Sequence, residues 1–429
     1  MNQSADAIIV GGGIAGAATA YYLAKAGLKP VLLEKGEIAG EQSSRNWGFV
    51  RQQGRDPFEV PLMIECNRMW RGLSSELGTE LHWRQGGNLA LAGDQKRLAA
   101  LESWLEVARL YQLDSRILTN REIRDLIPGI EGNWVGGLHT PSDGQAEPAI
   151  VAPAFAQAAR QLGAEITTGC AVDEIVTAGG AVTGVRSERG EIKAPIVVCA
   201  AGAWSSRLLR GLGLSLPQLV IRATVARTTP VKSISAAGVW GPEVAFRQRS
   251  DGSFNIAAGT GTDYDIVPDT LRHGRAFWPN FQENRALFDL HVGTGFLKAL
   301  WSELPISEQG RHPFRAVRVW DPPPNPARVG NALAGLNSVF PGLGPIEVVR
   351  SRAGNIDATP DAIPVLGGVN EIRGLLIATG LSGHGFGMGP IVGRLMAELA
   401  TKGKPSLDLR GFRFSRFREG AALGVRSVI

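Results

Sequence analysis

Chemistry in this sequence concentrates in two glycine-dense segments and one arginine-rich stretch. Gly11, Gly13 and Gly16 fall in the spacing G-x-G-x-x-G, with Ile14 and Ala15 between them, directly after the apolar run Ala7-Ile8-Ile9-Val10. That pattern suits a dinucleotide. Gly11 permits a tight turn, Gly13 lets the backbone approach a pyrophosphate, and Gly16 lets a helix pack close to the strand. The helix N-terminus then faces the phosphate charge. Glu34 ends a second apolar run, Pro30–Leu33, where a carboxylate accepts hydrogen bonds from a ribose. The acid argues against a 2′-phosphate there, despite Lys35 beside it. Near the other end, Gly380, Ser382, Gly383, His384, Gly385, Phe386 and Gly387 lie between an apolar run and a helical one. Such a junction favours a group that gains negative charge during reaction. In the third segment, Arg45-Asn46-Trp47-Gly48-Phe49-Val50-Arg51, two guanidinium forks bracket a Trp-Gly turn, and Arg is the best side chain for holding a carboxylate.

The elements that must position these residues follow from periodicity. Ala7–Val10 is a buried parallel strand, Ala17–Ala26 a helix stopped by Gly27, and Pro30–Leu33 a second strand. A helix over Pro148–Leu162 and a strand over Ile196–Cys199, which exits through Ala201-Gly202-Ala203-Trp204, return to α/β alternation. Between Leu219 and Ala258 the pattern turns to β, with strands expected over 219–226, 244–247 and 254–258. Thr270–Leu304 reads as helical and rich in aromatics, among them Phe277, Trp278, Phe281, Phe288, Phe296 and Trp301; these are expected to pack against the sheet. Asp321–Pro326 is a stiff loop. The expected fold class is α/β, a Rossmann-like dinucleotide domain with a second α+β substrate domain on an antiparallel or mixed sheet. The first domain is assembled from 1–85, 146–215 and 345–429, the second from 86–145 and 216–344.

Composition narrows the function. The 429 residues are 44% apolar and 20% charged, an ordinary soluble globular balance. The excess of Lys and Arg over Asp and Glu, 45 − 40 = +5, is too dilute to argue for nucleic acid. Cys66, Cys170 and Cys199 show no C-x-x-C and no nearby His, so neither a disulfide framework nor a metal site is expected. The apolar stretch Ala7–Ala26 is broken by Gly11-Gly12-Gly13 and does not read as a membrane span. Met1–Asp6 carries no positive run ahead of an apolar core, so a cytoplasmic location is expected.

Gly11–Gly16 with Glu34, the Ser43-Ser44-Arg45-Asn46 turn, Ala358-Thr359-Pro360-Asp361 and Gly380–Gly387 together resemble the D-amino-acid oxidase family of FAD enzymes. The resemblance covers nearly the whole chain and is strongest to sarcosine oxidases, of the monomeric and β-subunit types, and to D-amino-acid dehydrogenases. It implies oxidation of the C–N bond of a secondary amine or amino acid to an imine, by hydride transfer to flavin N5. It also implies that Val172 meets the adenine, that Ala201, Gly202 and Trp204 make a second approach to the cofactor, and that Asp357 lies beside it. Arg51 matches a carboxylate-binding arginine, Arg45 would sit nearer the flavin, and Trp47 and His384 would face the substrate. Three departures matter. Gly354 stands where a flavin-tethering cysteine would be, which implies non-covalent FAD. Gly387 replaces a substrate-gripping lysine, and Asn255 falls where an oxygen-activating lysine is expected, which favours a dehydrogenase over an oxidase. Arg222, Arg247, Arg315 and Arg350 are spare groups for a second carboxylate. The acceptor stays open among oxygen, a quinone and an electron-transfer protein, as do homo-oligomer and partner subunits. Competing readings are an NAD-dependent dehydrogenase, a tRNA-modifying flavoprotein and a flavin subunit of a multi-chain amine dehydrogenase.

Overall fold

In a computed structural model that describes residues 4–304 and 306–419, the chain builds two large sheets. The first is parallel at its centre, in the order Ile372–Thr379, Val197–Cys199, Ala7–Val10, Pro30–Leu33, Glu165–Thr167. These strands are short apolar runs because both faces are covered, one by helices and the other largely by an antiparallel meander. One flank carries the antiparallel meander of Val172–Ala178, Ala181–Ser187 and Gly190–Lys193. The helix Ile14–Lys25 is buried along almost its whole length. It is packed between the sheet and the helices Pro148–Gln161 and Gly385–Lys402. Close packing requires small residues: a Cβ on Gly393 would fall 2.5 Å from the Ala18 backbone.

The second sheet is mixed. Leu219–Thr228, Phe254–Ala258, Val244–Gln248 and Gly238–Trp240 pair antiparallel, and Gly238–Trp240 then pairs parallel to Asn88–Ala92. Asn88–Ala92 continues antiparallel into Gly136–Thr140 and Arg116–Leu118. Its core, with Phe246, Phe254 and Phe340 in edge contact, is covered by the helix Pro326–Val339. That helix starts on Pro326 with Asn325 capping it, so 321–325 stays non-helical as expected, while Pro326, expected in the loop, is the first residue of the helix.

Two expectations are corrected here. The strand Val348–Ala358, assigned by sequence to the first domain, pairs with Leu219–Thr228 and belongs to the second sheet. The aromatic segment forms the helices Pro268–Asn284 and Thr294–Trp301, with the strand Phe288–His291 between them. Much of it does not pack inward: Leu271 is 75% exposed, Trp278 56%, Leu297 65% and Trp301 55%. No helix among the described residues is long and apolar enough to cross a membrane.

Candidate functional site

Two cavities meet at Gln42, one on the parallel sheet and one on the mixed sheet. The first opens where the strand Ala7–Val10 ends. Gly11 takes φ +111°, and a Cβ on it would fall 2.4 Å from the Ala200 carbonyl oxygen. A Cβ on Gly16 would fall 2.0 Å from the Gly11 carbonyl oxygen, so the first turn of the helix Ile14–Lys25 accepts only glycine at position 16. The Ile14 amide donates to Ser43 Oγ at 2.9 Å. Glu34 accepts from the amides of Gly12 at 2.6 Å and Gly36 at 2.7 Å, and burial raises its carboxyl above the usual range. Gly11, Gly13, Glu34, Lys35, Ser43, Val172, Ala201, Gly202, Trp204 and Asp357 all line this cavity. Lys35 lies over the Trp204 ring and pairs with Glu41 at 2.7 Å. Asp357 accepts from the Gly380 amide at 2.8 Å and the Thr379 hydroxyl at 3.2 Å, and burial pushes its carboxyl up to about 6.

The second cavity, of about 410 Å³, is walled by strands of the second sheet and by the start of the helix Gly385–Lys402. Arg45, Asn46, Trp47, Gly48, Arg51, Ser382, Gly383, His384 and Phe386 line it. Asn46 ties its own turn, donating to the Ser43 carbonyl at 2.9 Å and accepting from the Gly48 amide at 2.8 Å. Trp47 stands edge-on to Trp240, ring centres 4.9 Å apart. The Arg51 guanidinium lies 5.7 Å from the Trp240 ring centre and donates to the Gln53 carbonyl at 2.6 Å. Among the described residues Arg51 has no carboxylate within ion-pair distance. Burial, and then Arg55, push its pKa down to about 9. His384 Nδ1 meets Glu59 Oε1 at 2.9 Å, with both side chains buried. Burial and then Arg55 hold His384 below its ordinary value. Burial alone would raise Glu59, but His384 and Arg55 together outweigh it and leave the carboxyl low.

The structure places other residues differently from the sequence reading. Arg45 is spent on protein: it pairs with Asp321 at 2.5 Å and donates to the carbonyls of Gly40, Trp320 and Ala353. It clamps the turn before Trp47 rather than presenting a free charge. Ile14, Ala15 and Gly16 act through the helix start and line neither cavity. Ser44, Gly354, Gly380, Gly385 and Gly387 also line neither. Gly387 is core: its carbonyl accepts from Trp70 Nε1 at 2.8 Å, and a Cβ would press on Val50 and Met63. A Cβ on Gly354 would strike Gln42 Oε1 at 2.0 Å. Asn255 donates to the Trp47 carbonyl at 3.4 Å, a scaffold role. Of the spare arginines, Arg222 pairs with Asp265, Arg247 with Glu147 and Arg315 with Asp173, and none of these, nor Arg350, lines the second cavity. The sequence reading missed Arg55, Glu59, Arg97 and Trp240. Only Arg55 carried a signal, four residues after Arg51 in a glycine-containing turn.

A profile of the family described as DAO, FAD dependent oxidoreductase, matches residues 6–399. This chain belongs to that family. Human mitochondrial sarcosine dehydrogenase is 26% identical over 97% of this chain, which spans 42% of that longer protein. Human peroxisomal sarcosine oxidase is 28% identical, with 96% of each chain covered. The L-amino acid deaminase of Proteus myxofaciens, solved in complex with anthranilate, superposes with a TM-score of 0.91 at 28% identity, covering 97% of this chain and 94% of that one.

As a DAO-family chain, the protein uses FAD as its cofactor, and its residues fit the group. The glycines at 11 and 16 keep the helix start bare, and two buried polar atoms, Gln42 Oε1 and Asn355 Nδ2, lack partners on the cavity walls. Unpaired buried polar atoms are uncommon in folded proteins and mark where a ligand completes the network. Glu34 and the first turn of Ile14–Lys25 would hold the ribose and pyrophosphate. The three cysteines are buried away from both cavities. Burial pushes the Cys66 thiol up to about 12 and that of Cys199 to about 11.

Proposed function

We propose that this protein oxidises the C–N bond of an amino acid or N-alkyl amino acid to an imine, with FAD held without a covalent bond. The reading rests above all on Arg51, a guanidinium with no carboxylate partner among the described residues, facing a cavity that it shares with His384, whose Nδ1 meets Glu59. FAD, when bound, supplies the acceptor for the hydride leaving the carbon next to nitrogen. The chain supplies the rest. Arg51 takes the substrate carboxylate through its fork and fixes the orientation of the carbon. Trp47 and Trp240 wall the cavity and exclude water. The amine must lose its proton before it can push electrons. An ionised Glu59 only accepts hydrogen bonds, so the His384 proton sits on Nδ1 and Nε2 keeps a lone pair. A neutral His384 can therefore receive the ammonium proton.

A dehydrogenase is favoured over an oxidase, because among the described residues no lysine lines the second cavity and Asn255 is spent on the Trp47 carbonyl. The direct test is Arg51→Ala. With FAD still bound, KM for a carboxylate-bearing substrate should rise at least about tenfold, the scale of one lost charge-assisted contact. Unchanged KM removes Arg51 from the site.

A further inference from the structure

Arg51 is not the only unpaired cation in the second cavity. Arg55 and Arg97 line it too, and among the described residues neither lies within ion-pair distance of a carboxylate. Arg55 is 3% exposed; its Nε donates to the Arg51 carbonyl at 3.2 Å, while its Nη1 is buried and has no partner. Arg97 sits in the first turn of the helix Gln95–Leu110, where the helix dipole already places positive charge. The Asp94 side chain is committed to capping that helix, accepting from the Arg97 amide at 2.7 Å. Other charges around the cavity are accounted for. Arg45 is paired with Asp321, Glu59 with His384, and Asp143 with the amides of Gln52 and Gln53. Three guanidinium groups thus face one cavity, and a single substrate carboxylate neutralises only one of them. Arg55 and Arg97 both act to lower Arg51, while Asp143 and Glu59, neither of them an ion-pair partner of these arginines, act to raise Arg51 and Arg55. Buried, unpaired charges of one sign are costly unless a ligand of opposite sign completes them.

We propose that Arg55 and Arg97 form a second anion-binding pole, so that the substrate is an amino or imino acid carrying a second carboxylate remote from the one Arg51 takes. This rests on the carboxylate-anchored reading above and adds the substrate class. The second carboxylate satisfies the orphaned Arg55 Nη1 deep in the cavity and meets Arg97 nearer the half-buried rim. Selectivity against neutral side chains follows, because a neutral substrate leaves two cations unpaired.

Non-reacting acids test this without knowledge of the substrate. The FAD-loaded protein is titrated with butyrate and with succinate, glutarate and adipate, following the perturbation of the flavin absorption spectrum. At least one diacid should bind about tenfold or more tighter than butyrate, and Arg97→Gln should abolish most of that preference while FAD content is retained. Arg55→Gln should do the same; Arg97, being half-buried, keeps the test open if that variant fails to fold. Diacids binding no tighter than butyrate overturn the second pole and leave the Arg51 reading standing. A preference that survives Arg97→Gln overturns the assignment to these residues. No spectral response to any of the acids overturns the carboxylate-anchored reading itself.

Discussion

At the scale of single residues, the site depends on which charges are paired and which are free. Arg45 and Arg51 stand six positions apart and read alike in sequence, yet one is locked to Asp321 and the other faces the cavity. Spacing cannot show that difference, since Asp321 arrives from far along the chain. Glu59 was likewise invisible: a lone glutamate in a helical approach acquires meaning only when His384 is folded against it. That pair makes a prediction. Glu59 is the partner that raises His384, by charge and by hydrogen bond, against the burial that lowers it. Glu59→Gln removes the charge, so the His384 pKa should fall further. The acid limb of the kcat/KM profile should then move to lower pH, with kcat on its plateau reduced because Nδ1 is less firmly held. An acid limb that stays in place would remove His384 from the proton pathway.

Local elements explain why some of the site could be read and some could not. Strand, glycines, helix, strand and Glu34 arrive within the first 34 residues, so the dinucleotide cradle is a local signal. The same adjacency misled at the other end. Gly387 sits two residues into the helix Gly385–Lys402 and faces Trp70 and Val50 instead of the cavity. Helix phase, set by tertiary packing, decided that. The turn bearing Arg51 is held by Asp143, fully buried, which accepts from the amides of Gln52 at 2.7 Å and Gln53 at 3.1 Å. Burial pushes this carboxyl up to about 6 from its ordinary 3.8. Its charge therefore penalises the folded state above that value, and the penalty fades as pH falls through about 6 towards about 4. Asp143→Asn is permanently neutral and escapes the penalty. The melting temperature of the variant minus that of the native protein should rise with pH between about 4 and about 7. A flat difference would mean Asp143 is not buried as a charge.

At the scale of the whole molecule, the described residues build two large sheets, with the second cavity on the mixed sheet and the first running back along the parallel one. One ligand long enough to occupy both cavities ties the sheets together past Gln42. Removing FAD should lower the melting temperature by several degrees, since a ligand at ~1,000 times its dissociation constant adds about 4 kcal/mol. An apoprotein melting at the same temperature would show that the two cavities do not share one cofactor. At this scale the chain order of α/β and β segments revealed the architecture. The side on which Val348–Ala358 pairs, and the exposed apolar face around Trp278 and Trp301, depended on contacts no periodicity carries.

The central claim is a flavin reduced by an amino or imino acid whose carboxylate Arg51 holds. An anaerobic visible spectrum of the purified protein tests it most directly, titrated with N-methyl amino acids, cyclic imino acids, D- and L-amino acids, and the corresponding amines that lack the carboxylate. The account predicts a flavin band that bleaches with a carboxylate-bearing amine, returns slowly in air, and resists bleaching in Arg51→Ala at the same concentration. A flavin that bleaches equally well with amines lacking a carboxylate would contradict it.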